Sequence, residues 1–454
     1  MAEPDGDLLA LARRVAGSAR AGEEIEAYAI RSRETDVQVF GGEVESLSVA
    51  AIEGLAVRVV HEGRQGFAWA GSFDVQVVDE TVDEARDNAS FGEPDEWNAL
   101  VQPSEFARHE AVDLDVWRPS LLEVDTEAKV ALALDLETAT RAADPAVRGV
   151  TFAGYSDSAL ESAVVNSHGV ESLIRRTTSS CSSSAVAGEG AGTQTGYGFS
   201  AGRAFEDLDP AQAAADAAMR ATRLLGATKP ATRRLPVILD PLVTRSFLGI
   251  VGAALGGEAV LKGRSMFAGR DGEDVAAPGL SLVEDPTNAE ALGAATHDSE
   301  GVPTRRIELI ATGMLVGVLH NSYTGRRSGA GTTGSAMRGG FKSVPGVGAR
   351  ALFLEPGALD PEAILAAVPE ALYVQSVSGL HSGTNPVSGD FSVGAEGLLV
   401  RDGAFAEPVR EITIASTLQR MLLDVVEVGA DLTWLPGGGA GQTILVSEMT
   451  MSGE

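Results

Sequence analysis

Cysteine is almost missing from this chain: Cys181 stands alone among 454 residues. No internal disulfide can form and no thiolate cluster can hold a metal, and such a composition points to the cytoplasm. Set in a Ser/Thr-rich run with no histidine or basic residue adjacent, Cys181 reads as an inert core thiol. Basic residues are also scarce, 35 Lys and Arg against 64 Asp and Glu, for a net charge of −29. A surface of that sign repels phosphate backbones and anionic lipid head groups, so no direct nucleic-acid partner and no membrane are expected.

Histidine is sparse too, with six residues: His61, His109, His168, His297, His320 and His381. No two stand at metal-ligand spacing, and the closest pair, His297 and His320, is 23 positions apart. A metal site made within this chain is therefore not expected. There is no phosphate loop, no dinucleotide fingerprint in a strand–helix context, and no serine-hydrolase nucleophile elbow is expected. The Gly/Ala-rich run Ser246 to Gly257 falls short of the roughly 20 residues that span a bilayer. It lacks a basic face and reads as a core helix rather than a membrane or partner-binding one. Met1 to Asp5 is acidic, with no basic region before an apolar one, so no secretory signal is expected.

What is present is ordinary globular material, 44% hydrophobic and 22% charged. Apolar spacing predicts helices over Leu8 to Ala19, Val77 to Asn88 and Thr126 to Ala142, with a strand at Ile25 to Arg31. Two hairpins follow that strand. One turns at Gly41-Gly42 between Val37–Val39 and Val44–Val49; the other turns at His61 to Arg64 between Leu55–Val59 and Phe67–Trp69. Residues 147–202 read as mostly strands. Asp209-Pro210 and Asp240-Pro241 each pair an N-cap with proline at the first helical position, starting helices that stop near Gly226 and Leu255.

Residues 227–235 read as a linker. The expected architecture is α+β with two domains, an amino-terminal α/β domain at 1–230 and a β-rich carboxy-terminal domain at 236–454. Short apolar runs at Ile307–Ile310, Leu352–Leu354, Ala371–Val377 and Gly397–Val400, separated by turn signals, make the second domain β-rich.

Several separated blocks carry a resemblance over nearly the whole chain. They are Asn385-Pro386-Val387-Ser388-Gly389-Asp390-Phe391-Ser392-Val393-Gly394, then Gly397, Pro408 to Glu411 and Val428 to Leu432. Earlier in the chain come Gly42 to Glu45, Gly54 to Val59, Asp298 to Thr304 and Thr333-Gly334-Ser335-Ala336-x-Arg338. In this order they resemble the TldD/PmbA family, also called modulators of DNA gyrase.

The resemblance implies a peptidase assembled from two related subunits. In the TldD half, a His-Glu-x-x-x-His helix and a later cysteine hold zinc, and the glutamate acts on the metal-bound water. Registered on Gly257-Glu258 and Lys262-Gly263-x-Ser265, that helix motif falls on Leu248-Gly249-Ile250-Val251-Gly252-Ala253. The late cysteine falls near Pro436-Gly437-Gly438-Gly439. Both imidazoles, the carboxylate and the thiolate are replaced, as in the PmbA/TldE half.

The resemblance thus implies a subunit with no catalytic and no metal-binding residue of its own. Zinc is expected in a TldD-like partner, with unfolded or leader-type peptides as substrate. The alternative is a peptide-binding adaptor acting without proteolysis, possibly as a homodimer; an independent hydrolase is a third reading. Candidate substrate-binding residues are His381, Asn385, Ser388 and Asp390, although Asn-Pro and Ser-Gly-Asp also form turns bonded to their own backbone. Arg305-Arg306 and Arg326-Arg327 read as solvated surface.

Overall fold

The computed structural model describes residues 6–454; the expectation about Met1 to Asp5 lies outside them. Helix α1 is Gly6–Ala16, three residues shorter at its carboxy end than the apolar spacing suggests. Three antiparallel strands follow, β1 Glu23–Phe40, β2 Glu43–His61 and β3 Arg64–Ala70, turning at the expected glycines. Helices α2 Val75–Phe91 and α3 Thr126–Ala142 precede β4 Val147–Asn166, β5 Glu171–Ala187, β6 Gln194–Gly202 and α4 Pro210–Thr222. The six strands make one sheet in the order β3-β2-β1-β4-β5-β6.

Alternation decides which layer each strand residue joins. Ile25, Ala27 and Ala29 of β1, with Leu55, Val57 and Val59 of β2, pack under α1 and α2. Val37, Val39, Tyr155 and Cys181 pack under α3 and α4. The even-numbered residues Tyr28, Ile30 and Ala56 face the other way, against Phe341 of the carboxy-terminal half. Gly54 leaves room for that ring, since a Cβ there would sit 2.4 Å from it.

Strands β1, β2 and β4 run 18 to 20 residues, far longer than the short hairpins the sequence suggests. Two causes hide their length. Near residues 25–30 both faces are buried, so polar alternation disappears, while β2 is exposed on both faces over most of 43–53.

The carboxy-terminal half begins with β7 Arg233–Leu239. The expected linker is therefore shorter than 227–235, because Leu235 is already in the core. β7 lies parallel to Glu370–Ser378 and antiparallel to Ile444–Ser452. The outer strand Ala404–Thr417 pairs with both Asp390–Arg401 and Ile444–Ser452, so five strands close on themselves. Helix α5, Pro241–Ala254, is started by the Asp240 carboxylate accepting the Leu242 N–H at 3.0 Å. It buries Val243, Phe247, Leu248 and Val251 against the closed strands. Among the described residues, no helix is long and apolar enough to cross a membrane.

Candidate functional site

A groove of about 430 Å³ runs along the face of α5 opposite its apolar stripe. Arg245, Gly249 and Ala253 line it together with Gly437 to Gly439. The two stretches on which the resemblance places a metal-binding helix and a late thiolate thus share one cavity. Arg245 ties them together, its Nε and Nη2 donating to Gly438 O at 3.2 and 3.1 Å.

Gly437, Gly438 and Gly439 all have left-handed φ, at 84, 88 and 76°. A Cβ on Gly249 would meet nothing within 4 Å, while one on Gly252 would come within 2.7 Å of Leu352. Leu248 stands at the edge of the groove, lining it while also packing into the core. Among the described residues no group of three or more His, Cys, Asp or Glu is arranged to hold a metal ion. The side chains of the groove, the guanidiniums of Arg245 and Arg338, the Met337 thioether and otherwise apolar residues and glycines, do not fit zinc.

The groove opens into a second cavity of about 390 Å³ between β4–β6 and the carboxy-terminal half, lined by Arg176, Arg338 and Arg350. Met337, Arg338, Ala349, Gly437 and Gly438 border both. Beneath this junction lies a buried charge network. Glu26 and Arg58 are direct cross-strand neighbours on β1 and β2, and Arg58 Nη2 donates to Glu26 at 2.8 Å and to Glu300 at 3.0 Å. Glu26 also receives Arg338 Nη2 at 2.5 Å. Glu300 further accepts the backbone N–H and the hydroxyl of Ser322, both at 2.8 Å.

Burial opposes the charge on Glu300, but Arg58 and the Ser322 bonds hold its carboxyl below the ordinary range. Burial, then the Glu300 charge, pushes neighbouring Asp298 the other way. Three resemblance blocks, Gly54 to Val59, Asp298 to Thr304 and Thr333 to Arg338, therefore meet as the bond between the two halves. Nothing in their spacing signals that pairing.

Glu284 supports the cavity from below, accepting the backbone N–H groups of Arg350 at 2.6 Å and Ala351 at 3.1 Å. Burial raises its carboxyl from 4.5 to about 7 despite these bonds. A raised carboxyl leaves the folded state holding a proton that the unfolded chain has lost. Stability from this group is thus full below about 4.5 and declines as pH rises through about 7. Glu284→Gln removes the dependence. Relative to the parent, the variant is expected to gain on the order of 2–3 kcal/mol between pH 5 and pH 8 in urea unfolding. A stability gap that stays constant across that range contradicts the assignment.

The four sequence-predicted substrate residues line neither cavity. His381, on the one-turn helix Leu380–Gly383, is exposed and makes no hydrogen bond or ion pair to a described residue. Asn385, Ser388 and Asp390 are brought together, but to satisfy one another. Asn385 Oδ1 accepts the Val387 and Ser388 N–H groups at 2.9 and 3.2 Å, and Ser388 Oγ donates to Asp390 at 2.6 Å. Asn385 and Asp390 border a separate shallow depression with Phe391 and Thr417.

Arg326 corrects the surface reading. It makes two 3.0 Å bonds to the Glu105 carboxylate and donates to Trp97 O at 3.3 Å, clamping the 97–105 segment to the carboxy-terminal half. The stretch Gly198 to Gly202 does spell Gly-x-Ser-x-Gly, against the expectation that no nucleophile elbow exists. It lies within β6 rather than on a strand-to-helix turn, and Ser200 Oγ accepts the Asp209 N–H at 2.8 Å. Cys181 is buried, which raises its thiol to about 11, as suits a core residue.

Comparison with known proteins gives this architecture its family. Residues 25–89, 119–225 and 232–453 match the PmbA/TldA metallopeptidase domain 1, central domain and C-terminal domain. The chain belongs to the PmbA/TldD metallopeptidase family. It is 30% identical over 416 residues to "Metalloprotease PmbA" of Escherichia coli O157:H7, covering 91% of this chain and 88% of that one. It is 26% identical over 433 residues to a metalloprotease of Methanothermobacter thermautotrophicus, covering 92% and 90%. The crystal structure of TldE from Thermococcus kodakarensis has the same fold, with a TM-score of 0.89 at 22% identity over 98% of this chain and 99% of that one.

Proposed function

We propose that this chain is the zinc-free, TldE-like subunit of a two-chain cytoplasmic metallopeptidase, forming a wall of the peptide path while a TldD-like partner carries zinc. One observation carries the reading. The groove where α5 meets residues 436–439 presents Leu248, Gly249, Ala253 and three glycines at the positions where the resemblance puts ligands. Without imidazoles, carboxylate or thiolate, this groove has no means of lowering the pKa of a metal-bound water or of accepting its proton. Hydrolysis then falls to the partner, and the charge of −29 keeps nucleic acid out of the substrate list.

The free edge of β2 supports a partner chain. Beyond Leu55, where pairing with β3 ends, residues 43–54 have β1 on one side only. Val44, Leu47, Val49 and Ile52 are exposed there. A long apolar edge left open is a template for another strand.

The test is purification of the tagged chain from its native lysate. A zinc-bearing homologue is expected in equimolar amount, with peptide hydrolysis that a chelator abolishes and that the isolated chain lacks. Recovery of a homodimer alone would favour the adaptor reading, and stoichiometric zinc in an active isolated chain would refute the proposal outright.

A further inference from the structure

In a chain with 64 acidic and 35 basic residues, an arginine has little difficulty finding a carboxylate. Two arginines lining one cavity, Arg176 and Arg350, and Arg203 near Arg176 have none within the 4.0 Å ion-pairing distance. Arg203, 7% exposed, spends its guanidinium on carbonyl oxygens, Thr177 O at 3.2 Å, Ala289 O at 3.4 Å and Ala291 O. Arg350 Nη2 donates to Ser299 Oγ at 3.1 Å and Ala336 O at 3.3 Å, while its Nε is buried with no acceptor. Arg176 makes no hydrogen bond or ion pair to any described residue, yet it lines the cavity.

No carboxylate is left over for them: Asp157, which lines the cavity, is taken by Lys129 at 2.5 Å, and Asp207 and Asp115 act on Arg203 only from beyond ion-pairing distance. Burial, then Arg350 and Arg203, lowers the Arg176 guanidinium to about 10, and burial, then Arg118, does the same to Arg203. Glu284, below Arg350, is engaged with backbone N–H groups and is itself shifted toward its neutral form. A protein gains nothing in stability from such an arrangement; an arriving anion relieves it.

The wall supplies the remaining donors. Arg176, Thr178 and Ser180 alternate along β5 and so share a face, and Ser158 is the cross-strand partner of Thr178. The hydroxyls of Ser158, Thr178 and Ser180 line the cavity and make no hydrogen bond to a described residue. A guanidinium fork matches the two oxygens of a carboxylate, and hydroxyls complete its lone pairs. The cavity continues into the groove along α5, where Gly249, Gly348 and Gly437 to Gly439 keep part of the wall low enough for an extended main chain.

We propose that the Arg176–Arg350 cavity is an anion subsite that takes the C-terminal carboxylate of a peptide whose main chain lies in the adjoining groove. The ligand class rests on the peptide-handling reading above; the subsite itself does not depend on zinc.

Fluorescence anisotropy tests this on the full chain and on its co-purified complex. The probe is a labelled short Gly/Ala peptide ending in a free carboxylate, compared with the same peptide as its C-terminal amide. The free acid is expected to bind roughly tenfold tighter or more, the size of a charge-assisted contact. Arg176→Met should erase the difference without lowering the melting temperature, since Arg176 holds no part of the fold.

Equal binding of acid and amide overturns the subsite, as does an unchanged preference in Arg176→Met. Displacement by inorganic phosphate of an acid preference would show the shared oxyanion site and support it, whereas phosphate binding without peptide binding would assign the cavity to a free anion and overturn the peptide assignment. A complex that shows the preference but no hydrolysis refutes only the zinc-pair reading. One that cleaves acids and amides alike, with or without Arg176, refutes only the subsite.

Discussion

Glu300→Gln is expected to cost about 3–5 kcal/mol in urea unfolding, because it leaves Arg58 buried with half of its counter-charge removed. Glu300 and Glu26 side chains are fully buried and Arg58 is 6% exposed, so water cannot take over the lost contact. Arg58 Nε already lacks an acceptor, which leaves no slack in the network. The four charges balance as two pairs. Removing Arg58 and Glu300 together leaves Glu26 with Arg338, so Arg58→Met combined with Glu300→Gln should recover most of the loss.

A cost below about 1 kcal/mol for the single change, or a double variant worse than the single, would contradict this account. The acid limb carries the same signature. Glu300 sits below its ordinary range, so its contribution is present above about 4.5 and is lost as pH falls further. That slope is opposite in sign to that of Glu284.

Asp240→Ala is the second large effect expected, near 3 kcal/mol. Asp240 is 1% exposed and serves three elements at once. It caps α5 through Leu242 N, receives Arg220 of α4 at 2.9 Å and accepts the Tyr373 hydroxyl at 2.6 Å. Loss of a cap alone costs about 1 kcal/mol. Arg220 keeps 17% exposure and recovers some hydration, which holds the total toward the lower end of the range for a broken buried pair. Asp240→Asn retains a capping oxygen and should cost about half as much. Thermal unfolding of the two variants side by side checks the order; equal losses would mean that the charge contributes nothing.

How much of this was legible in the sequence follows from which forces act locally. Helix α3 begins and ends where its apolar spacing says, and both Asp-Pro pairs start their helices, because caps and amphipathic stripes are short-range features. Strand lengths were not legible. The alternation that marks a strand vanishes where β1 is covered on both faces and where β2 is covered on neither.

The candidate site divides the same way. That residues 248–253 and 436–439 belong together came from the resemblance, and the shared groove gives it a geometric basis. Arg176 was invisible, since one arginine inside a strand has no spacing to distinguish it and Arg350, a guanidinium it shares the cavity with, is 174 positions away. The Asn385 to Asp390 block drew attention as a binding motif. Its side chains are largely consumed by the turn itself, and Gly389 is required because a Cβ there would lie 1.9 Å from Gln419.

The three consecutive glycines at 437–439 make a thiolate costly to place where the resemblance puts one. A side chain at any of them must adopt a left-handed backbone, at about 1–2 kcal/mol. It would also press on Arg245, Arg350 O or Leu352 O at 3.0, 2.9 and 3.2 Å respectively. A thiol introduced there by one codon change would unsettle the loop before any metal arrived to reward it. On the two-chain proposal, descendants of this chain are therefore expected to drift in surface and partner contacts while remaining dependent on a second gene for chemistry.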